Sequence, residues 1–161
     1  MRPVVFLDVD GPLIPFGAQS YGLPASARIR AAARGNPLLA RLDPRLGGWL
    51  TALPGDLVWA TTWGADANDV IAPLLDLPEL PVVDWPDEDV AGPVHWKTRG
   101  LVAWAAERPF VWIDDEITAA DREWVAAHHP GAALLHAVER ERGLTRGDID
   151  TIAAWLTRPS P

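Results

Sequence analysis

The sequence of 161 residues contains no cysteine. This absence excludes disulfide bridges, zinc–thiolate centres, iron–sulfur clusters and a cysteine nucleophile, so any metal must bind to oxygen or imidazole ligands. No apolar run approaches the roughly 20 residues of a membrane-spanning helix. The apolar stretch near the N-terminus is also too short for a signal peptide. We therefore expect a soluble, cytoplasmic protein that does not associate with membranes.

Basic residues are in the minority: 14 Lys and Arg stand against 22 Asp and Glu, for a net charge of −8. This balance disfavours a nucleic-acid-binding protein, because such proteins usually present a basic face. The surplus of acids supplies the oxygen ligands that a magnesium site needs. The length is typical of one domain, so we expect residues 1–161 to form a single domain with a frayed tail at 157–161.

Short apolar runs alternate with segments of helical spacing along the chain. The runs are typical of strands buried on both faces, and they predict five strands, at residues 3–7, 57–61, 81–83, 110–113 and 132–135. The intervening spacing predicts helices at 37–53 (interrupted near Pro44 and Gly47-Gly48), 66–77, 97–107, 148–156 and after Thr118, whose capping box includes Asp121. Residues 12–36 have no clean period and predict a loop or small flap. The alternation predicts an α/β domain with a parallel sheet.

Polar residues suited to phosphate and magnesium chemistry follow three of the predicted strands, where ligands of parallel sheets bind. They are Asp8 and Asp10 after the first strand, Thr61 and Thr62 after the second, and Asp114 and Asp115 after the fourth. Lys97 begins the helix that precedes the fourth strand. Each residue alone is more typical of a turn, a cap or a solvated side chain, so the prediction depends on their joint occurrence.

The chemistry of these side chains favours phosphoryl transfer. Asp8 and Asp10 alternate with an apolar residue, so extended backbone turns both carboxylates to one side. Two such charges repel one another unless a cation or proton lies between them. Mg²⁺ prefers octahedral oxygen ligands, and Asp114 from a neighbouring strand is a further candidate ligand. A hydroxyl from Thr61 and the ammonium of Lys97 would hold the phosphate oxygens.

Four segments resemble the motifs of the haloacid dehalogenase (HAD) superfamily. Residues 4–11 resemble its first motif, residues 57–61 its second, Lys97 its third and residues 110–115 its fourth. The resemblance extends from residue 3 to about residue 136. It implies a three-layer, Rossmann-like parallel sheet with strand order 5-4-1-2-3. The chain has no room for the separate cap domain that many members carry.

The resemblance implies a role for each candidate catalytic residue. Asp8 would be the nucleophile that forms an aspartyl-phosphate. Asp10 would protonate the leaving group and then activate water. Thr61 and Lys97 would bind the phosphoryl group, and the neighbouring Thr62 leaves the second-motif assignment open by one residue.

The resemblance also implies a bound Mg²⁺ ion. Asp8, Asp10 through its backbone carbonyl, and Asp114 would be ligands, with Asp115 binding directly or through water. The expected function is that of a magnesium-dependent phosphomonoester hydrolase, a HAD-like phosphatase. Its partner would be a phosphorylated substrate, either a small molecule or a macromolecular end. An open site suits a large substrate or a cap contributed by another subunit of a homo-oligomer. Specificity would then come from a flap near Phe16–Tyr21, the Asp84–Asp89 loop or that subunit.

Two alternatives remain open at this point. Residues 57–63, followed by residues 95–98, resemble the small HAD domains of composite RNA-repair proteins, which makes a nucleic-acid end phosphatase the first alternative. Trp63 and Trp85 would be candidates for base stacking, although packing in the core or at the rim explains both more simply. A basic rim would come from a set of arginines, although a solvated helix face explains these more simply. The arginines are Arg28, Arg30, Arg34, Arg41 and Arg45. The second alternative is a catalytically idle binding module. A response-regulator receiver is disfavoured because Lys97 precedes the second acidic pair.

Overall fold

The described residues form a sheet of four parallel strands. A computed structural model describes residues 1–17, 25–85 and 92–158. The strands are β1 (Val4–Leu7), β2 (Asp56–Trp59), β3 (Phe110–Asp114) and β4 (Ala133–Ala137). Their order is β2-β1-β3-β4. The helices are α1 (Ala27–Ala32), α2 (Leu46–Thr51), α3 (Ala72–Leu74), α4 (Thr98–Ala105), α5 (Ala119–His128) and α6 (Arg146–Leu156).

The predicted α/β class and the order of the strands are confirmed. β3 and β4 correspond to the predicted fourth and fifth strands, so the observed order is 5-4-1-2. The predicted third strand at 81–83 lies beside β2 as expected, but it is reduced to a single bridge between Val82 and Trp59. Pro81 accepts a hydrogen bond from the Trp59 N–H and has no N–H of its own to extend the ladder.

The two faces of the sheet are covered by separate apolar layers. Val5 and Leu7 of β1 pack into one buried cluster, while Val4 and Phe6 pack into the other. Every residue of β1 and β3 is buried. Continuous apolar runs are what a strand buried on both faces requires, and this explains why the central strands were predicted from the sequence alone.

Three predicted segments differ from the structure. The region 12–36 contains α1, whose N-cap Ser26 accepts a hydrogen bond from the Ile29 N–H. The predicted helix 37–53 is a 3₁₀ helix at Pro37–Arg41 followed by α2. α2 passes through the predicted interruption at Gly47, where a Cβ would lie 1.6 Å from the Leu75 carbonyl oxygen. The predicted helix 66–77 is a π-helical turn at Ala67–Ile71 that continues into α3.

The capping box predicted at Thr118 and Asp121 is confirmed. α6 begins earlier than predicted, at Arg146, because Thr145 and Asp148 form a second capping box there. Of the predicted frayed tail, residues 159–161 lie outside the described residues, as do residues 18–24 of the predicted flap.

No separate cap domain covers the carboxyl ends of the strands in the described part of the chain. Across the same residues, no helix combines the length and apolar character that crossing a membrane requires.

Candidate active site

Two neighbouring strands and one helix bring three buried charges together. Asp8 follows β1, Asp114 ends β3, and Lys97 is the N-cap residue of α4. The Lys97 Nζ lies 3.1 Å from Asp8 Oδ1 and 2.8 Å from Asp114 Oδ2. β1 and β3 are paired in parallel, so their carboxyl ends lie side by side, as predicted.

Burial and neighbouring charges together shift the pKa values of Asp8 and Lys97. Burial raises the pKa of Asp8 to about 7, an effect opposed by Lys97 and reinforced by the charge of Asp114. Burial alone would lower the pKa of Lys97, but the two carboxylates raise it above its ordinary value. Lys97 is therefore an ammonium ion at neutral pH. One ammonium between two carboxylates leaves negative charge uncompensated when Asp8 is ionised, which favours a further cation.

A third acid completes an oxygen-lined cluster. Carboxylate oxygens of Asp8, Asp114 and Asp115 all lie within 4.8 Å of one another. Burial, followed by the charge of Asp114, raises the pKa of Asp115. The close approach of Asp115 depends on Gly11, which has a φ of +96° and whose Cβ position would be 2.5 Å from Asp115 Oδ1. An all-oxygen donor set of this kind suits Mg²⁺.

Asp10 lies in the same cleft but outside this cluster of acids. Its Oδ2 accepts a hydrogen bond of 3.0 Å from the Trp63 indole Nε1. The acids whose oxygens all lie within 4.8 Å of one another are Asp8, Asp114 and Asp115, and the Asp10 carboxylate is not among them. Metal binding by the Asp10 carbonyl, which the resemblance implies, stays a prediction.

The two candidate threonines have different environments. Thr61 is fully buried, and its Oγ1 accepts a hydrogen bond of 3.2 Å from the Trp63 N–H. Thr62 is exposed and lines the cleft. The cleft has a volume of about 130 Å³, and its walls are Asp8, Asp10, Phe16, Thr62, Trp96, Lys97, Asp115 and Glu116.

Indole N–H groups position several of these residues, which sequence reasoning missed. Besides Trp63, the Trp112 Nε1 donates to Asp114 Oδ2 at 3.2 Å, and the Trp85 Nε1 donates to the Thr61 carbonyl oxygen at 3.2 Å. Trp112 precedes Asp114 by two positions on β3, so both side chains point to the same face. The spacing of two residues between Trp112 and Asp114 was the signal in the sequence that could have predicted this contact. These bonds give a role to three of the nine tryptophans.

Most arginines of the predicted basic rim contact other residues of the protein. Four of its five arginine side chains contact protein oxygens: Arg28 contacts Asp76, Arg30 the Ala25 carbonyl, Arg41 the Pro15 and Phe16 carbonyls, and Arg45 Asp43. The acidic loop predicted at 84–89 falls outside the described residues from position 86 onward. These arginine contacts therefore give little support to the basic rim that a nucleic-acid end phosphatase would use.

The sheet order and the acids at its carboxyl edge define a HAD-like α/β domain. The family described as the HAD domain in Swiss Army Knife RNA repair proteins matches residues 4–149, and the chain belongs to this family. The resemblance seen in the sequence is thus confirmed.

A solved structure has the same fold. The HAD domain of the effector protein Lem4 from Legionella pneumophila superposes with a TM-score of 0.54 at 13% sequence identity, and the match covers 98% of each chain. At this identity the likeness shows the fold alone. No curated protein has a sequence that matches the chain.

Proposed function

We propose that this protein is a magnesium-dependent phosphomonoester hydrolase that acts through an aspartyl-phosphate on Asp8. The observation that carries the proposal is the position of Asp8 in the cleft, 3.1 Å from the Lys97 ammonium and within 4.8 Å of Asp114 and Asp115. A nucleophile, a phosphate-binding cation and an oxygen-lined metal site are then present together. We also propose that residues 1–161 form this one catalytic domain.

Asp8, Asp114 and Asp115 would hold Mg²⁺. The ion, when bound, would neutralise the carboxylates and the phosphoryl oxygens. The fit follows from the donor chemistry, because all three side chains offer oxygen. Burial and the nearby charge of Asp114 also make the ionised forms of Asp8 and Asp115 costly without a cation.

The first half-reaction transfers the phosphoryl group to Asp8. A carboxylate oxygen of Asp8 attacks phosphorus while the ester P–O bond breaks, and Asp10 donates a proton to the departing alkoxide oxygen. Lys97 contributes a positive charge at the oxygens of the transferred group. In most phosphoryl transfers, positioning and charge stabilisation supply most of the catalysis.

The second half-reaction releases inorganic phosphate. Asp10, now a carboxylate, takes a proton from water, and the water oxygen attacks phosphorus as the bond to Asp8 breaks. The indole of Trp63 holds the Asp10 carboxylate between these two steps through its hydrogen bond of 3.0 Å. In this proposal Asp8 is the nucleophile, and Asp10 is the general acid in the first step and the general base in the second.

Trapping of the intermediate tests this assignment. An aryl phosphate with a good leaving group does not need Asp10 for the first step, so Asp10→Asn should accumulate protein that has gained one phosphoryl group on Asp8. Intact-protein and peptide mass spectrometry would locate it. Asp8→Asn should gain none and should lose about 10³-fold or more in turnover. Near wild-type turnover of Asp8→Asn would contradict the proposal.

A second candidate function is that of a nucleic-acid end phosphatase, favoured by membership of a family of HAD domains in RNA repair proteins. A panel of phosphomonoesters with Mg²⁺, including 3′- and 5′-phosphorylated oligonucleotides, would decide between substrates. Binding through phosphate contacts would weaken with salt, by about one unit of log–log slope for each contact. Absence of turnover with every substrate would instead favour an idle binding module.

A further inference from the structure

The cleft exposes aromatic surface for which the proposed chemistry has no use. Among the described residues, Met1, Phe16, Leu38 and Trp96 are the strongly exposed large apolar side chains. Two of them, Phe16 at 47% and Trp96 at 38% exposure, line the cleft that contains Asp8. Clustered exposed apolar surface beside a polar centre marks a binding site more often than chance exposure does.

The ring of Trp96 is held rigidly and faces the reaction centre. It makes an edge contact with Trp85, with ring centroids 4.9 Å apart at 75°, and a tilted contact with His95 at 5.5 Å. His95 is itself anchored, since its Nε2 lies 3.0 Å from Glu116 Oε2. The Lys97 Nζ lies over the Trp96 ring, 5.5 Å from its centroid. The face of the indole is therefore turned toward the ammonium that would hold the phosphoryl group.

The main chain at Phe16 is held by other elements, and a cation lies over its ring. Its backbone N–H donates to the Arg140 carbonyl oxygen at 2.8 Å, and the Arg41 Nη1 donates to the Phe16 carbonyl oxygen at 2.8 Å. The Arg140 guanidinium lies over the ring, 5.6 Å from its centroid. Both aromatic residues thus have contacts within the protein that restrict them, which would lower the entropic cost of binding to them.

We propose that Phe16 and Trp96 form a subsite for an aromatic ring carried by the alcohol part of the phosphomonoester. The inference rests on the proposed function and adds the substrate class. An aromatic ring gains interaction energy from offset stacking and edge contacts with other rings, and a flexible aliphatic chain does not. Arylalkyl phosphates and nucleotides share this chemistry, with the ring attached through a short carbon linker in the first and through a sugar in the second.

The test compares esters that differ in the ring. With Mg²⁺ present, kcat/KM is measured for benzyl phosphate, a nucleoside 5′-monophosphate, a 5′-phosphorylated oligonucleotide and glycerol phosphate, all of which release an alkoxide. The ring-bearing esters should be preferred by roughly tenfold, as expected for one stacked ring. Trp96→Leu and Phe16→Leu should bring the preference ratio close to one, and Trp96→Phe should retain most of it. The ester preferred among the ring-bearing arms identifies the source of the ring.

A matched control is available in Trp124, which stacks on His128 with centroids 4.1 Å apart and does not line the cleft. Trp124→Leu should keep the wild-type ratio. Equal kcat/KM for ring-bearing and aliphatic esters, or a ratio unaffected by Trp96→Leu and Phe16→Leu, would overturn the subsite and leave the hydrolase intact.

If no ester is hydrolysed, the proposed function fails while the subsite is still testable by calorimetry. A nucleoside monophosphate should then bind roughly tenfold more tightly than glycerol phosphate to the wild-type protein, and Trp96→Leu should remove the difference. Equal affinities for the two esters would overturn the subsite as well.

Discussion

Replacing Asp8 with asparagine should make the protein more stable at alkaline pH while it abolishes turnover. Burial raises the pKa of Asp8 from 3.8 to about 7. Each unit of that difference corresponds to about 1.4 kcal/mol, so ionisation of Asp8 costs the folded protein about 4 kcal/mol. An asparagine at this position keeps the shape of the side chain and cannot ionise, so the variant escapes this cost.

The sign follows from proton binding. Between about pH 4 and pH 7 the folded protein holds a proton on Asp8 that the unfolded chain has released, so its stability falls as the pH rises. In metal-free buffer, the free energy of unfolding of Asp8→Asn minus that of the wild type should therefore increase by about 4 kcal/mol from pH 4 to pH 8. Urea unfolding at several pH values measures this difference.

A carboxylate with the opposite shift provides the control. Burial alone would raise the pKa of Asp121, but hydrogen bonds from the Thr118 and Thr98 hydroxyls and from backbone N–H groups lower it. Asp121→Asn should therefore lose stability relative to the wild type as the pH rises to about 4, and the difference should change little between pH 4 and pH 8. A difference for Asp8→Asn that stays constant with pH, or that changes in the same direction as for Asp121→Asn, would refute the reasoning. Mg²⁺ should reduce the advantage of Asp8→Asn, because it stabilises the ionised wild-type site.

Three further outcomes are expected. Because Thr62 lines the cleft, we expect its hydroxyl to bind the phosphoryl group, so Thr62→Val should lower kcat/KM about tenfold with little effect on stability. Thr61→Val should instead cost about 1–2 kcal/mol of stability by leaving the Trp63 N–H without its acceptor. The reverse pattern in kinetics and urea unfolding would make Thr61 the phosphate-binding residue. Gly11→Ala should cost about 1–3 kcal/mol of stability and weaken Mg²⁺ binding in calorimetry, because its Cβ would overlap Asp115. As a control, Gly48→Ala should do neither, because no atom lies within 4 Å of the position of its Cβ. Mg²⁺ at about 100 times its Kd should stabilise the protein by about 2.7 kcal/mol, and EDTA should remove both this gain and turnover; a Tm that does not respond to Mg²⁺ would argue against the site.

The sequence was sufficient to predict the fold class and to place the candidate site residues at one edge of the sheet. Strands buried on both faces are written as continuous apolar runs, and their alternation with helical spacing implies a parallel sheet. In such a sheet all carboxyl ends lie at one edge, so Asp8, Thr61 and Asp114 had to lie near each other wherever the loops ran. The capping box of Thr118 and Asp121 was equally readable, because the two residues interact within one turn of helix, whereas the box of Thr145 and Asp148 was not predicted.

Only the tertiary structure decided the contacts between segments distant along the chain. The sequence does not specify that the Trp63 indole reaches Asp10, that Gly11 gives space to Asp115, or that Pro81 limits a predicted strand to one bridge. Such contacts depend on the angles at which whole elements pack, and hydrophobic periodicity carries no information about those angles. The same reason applies to the proton affinity of Asp8: an aspartate in a sequence has an ordinary pKa, and only burial beside other charges, a property of the folded molecule, raises it.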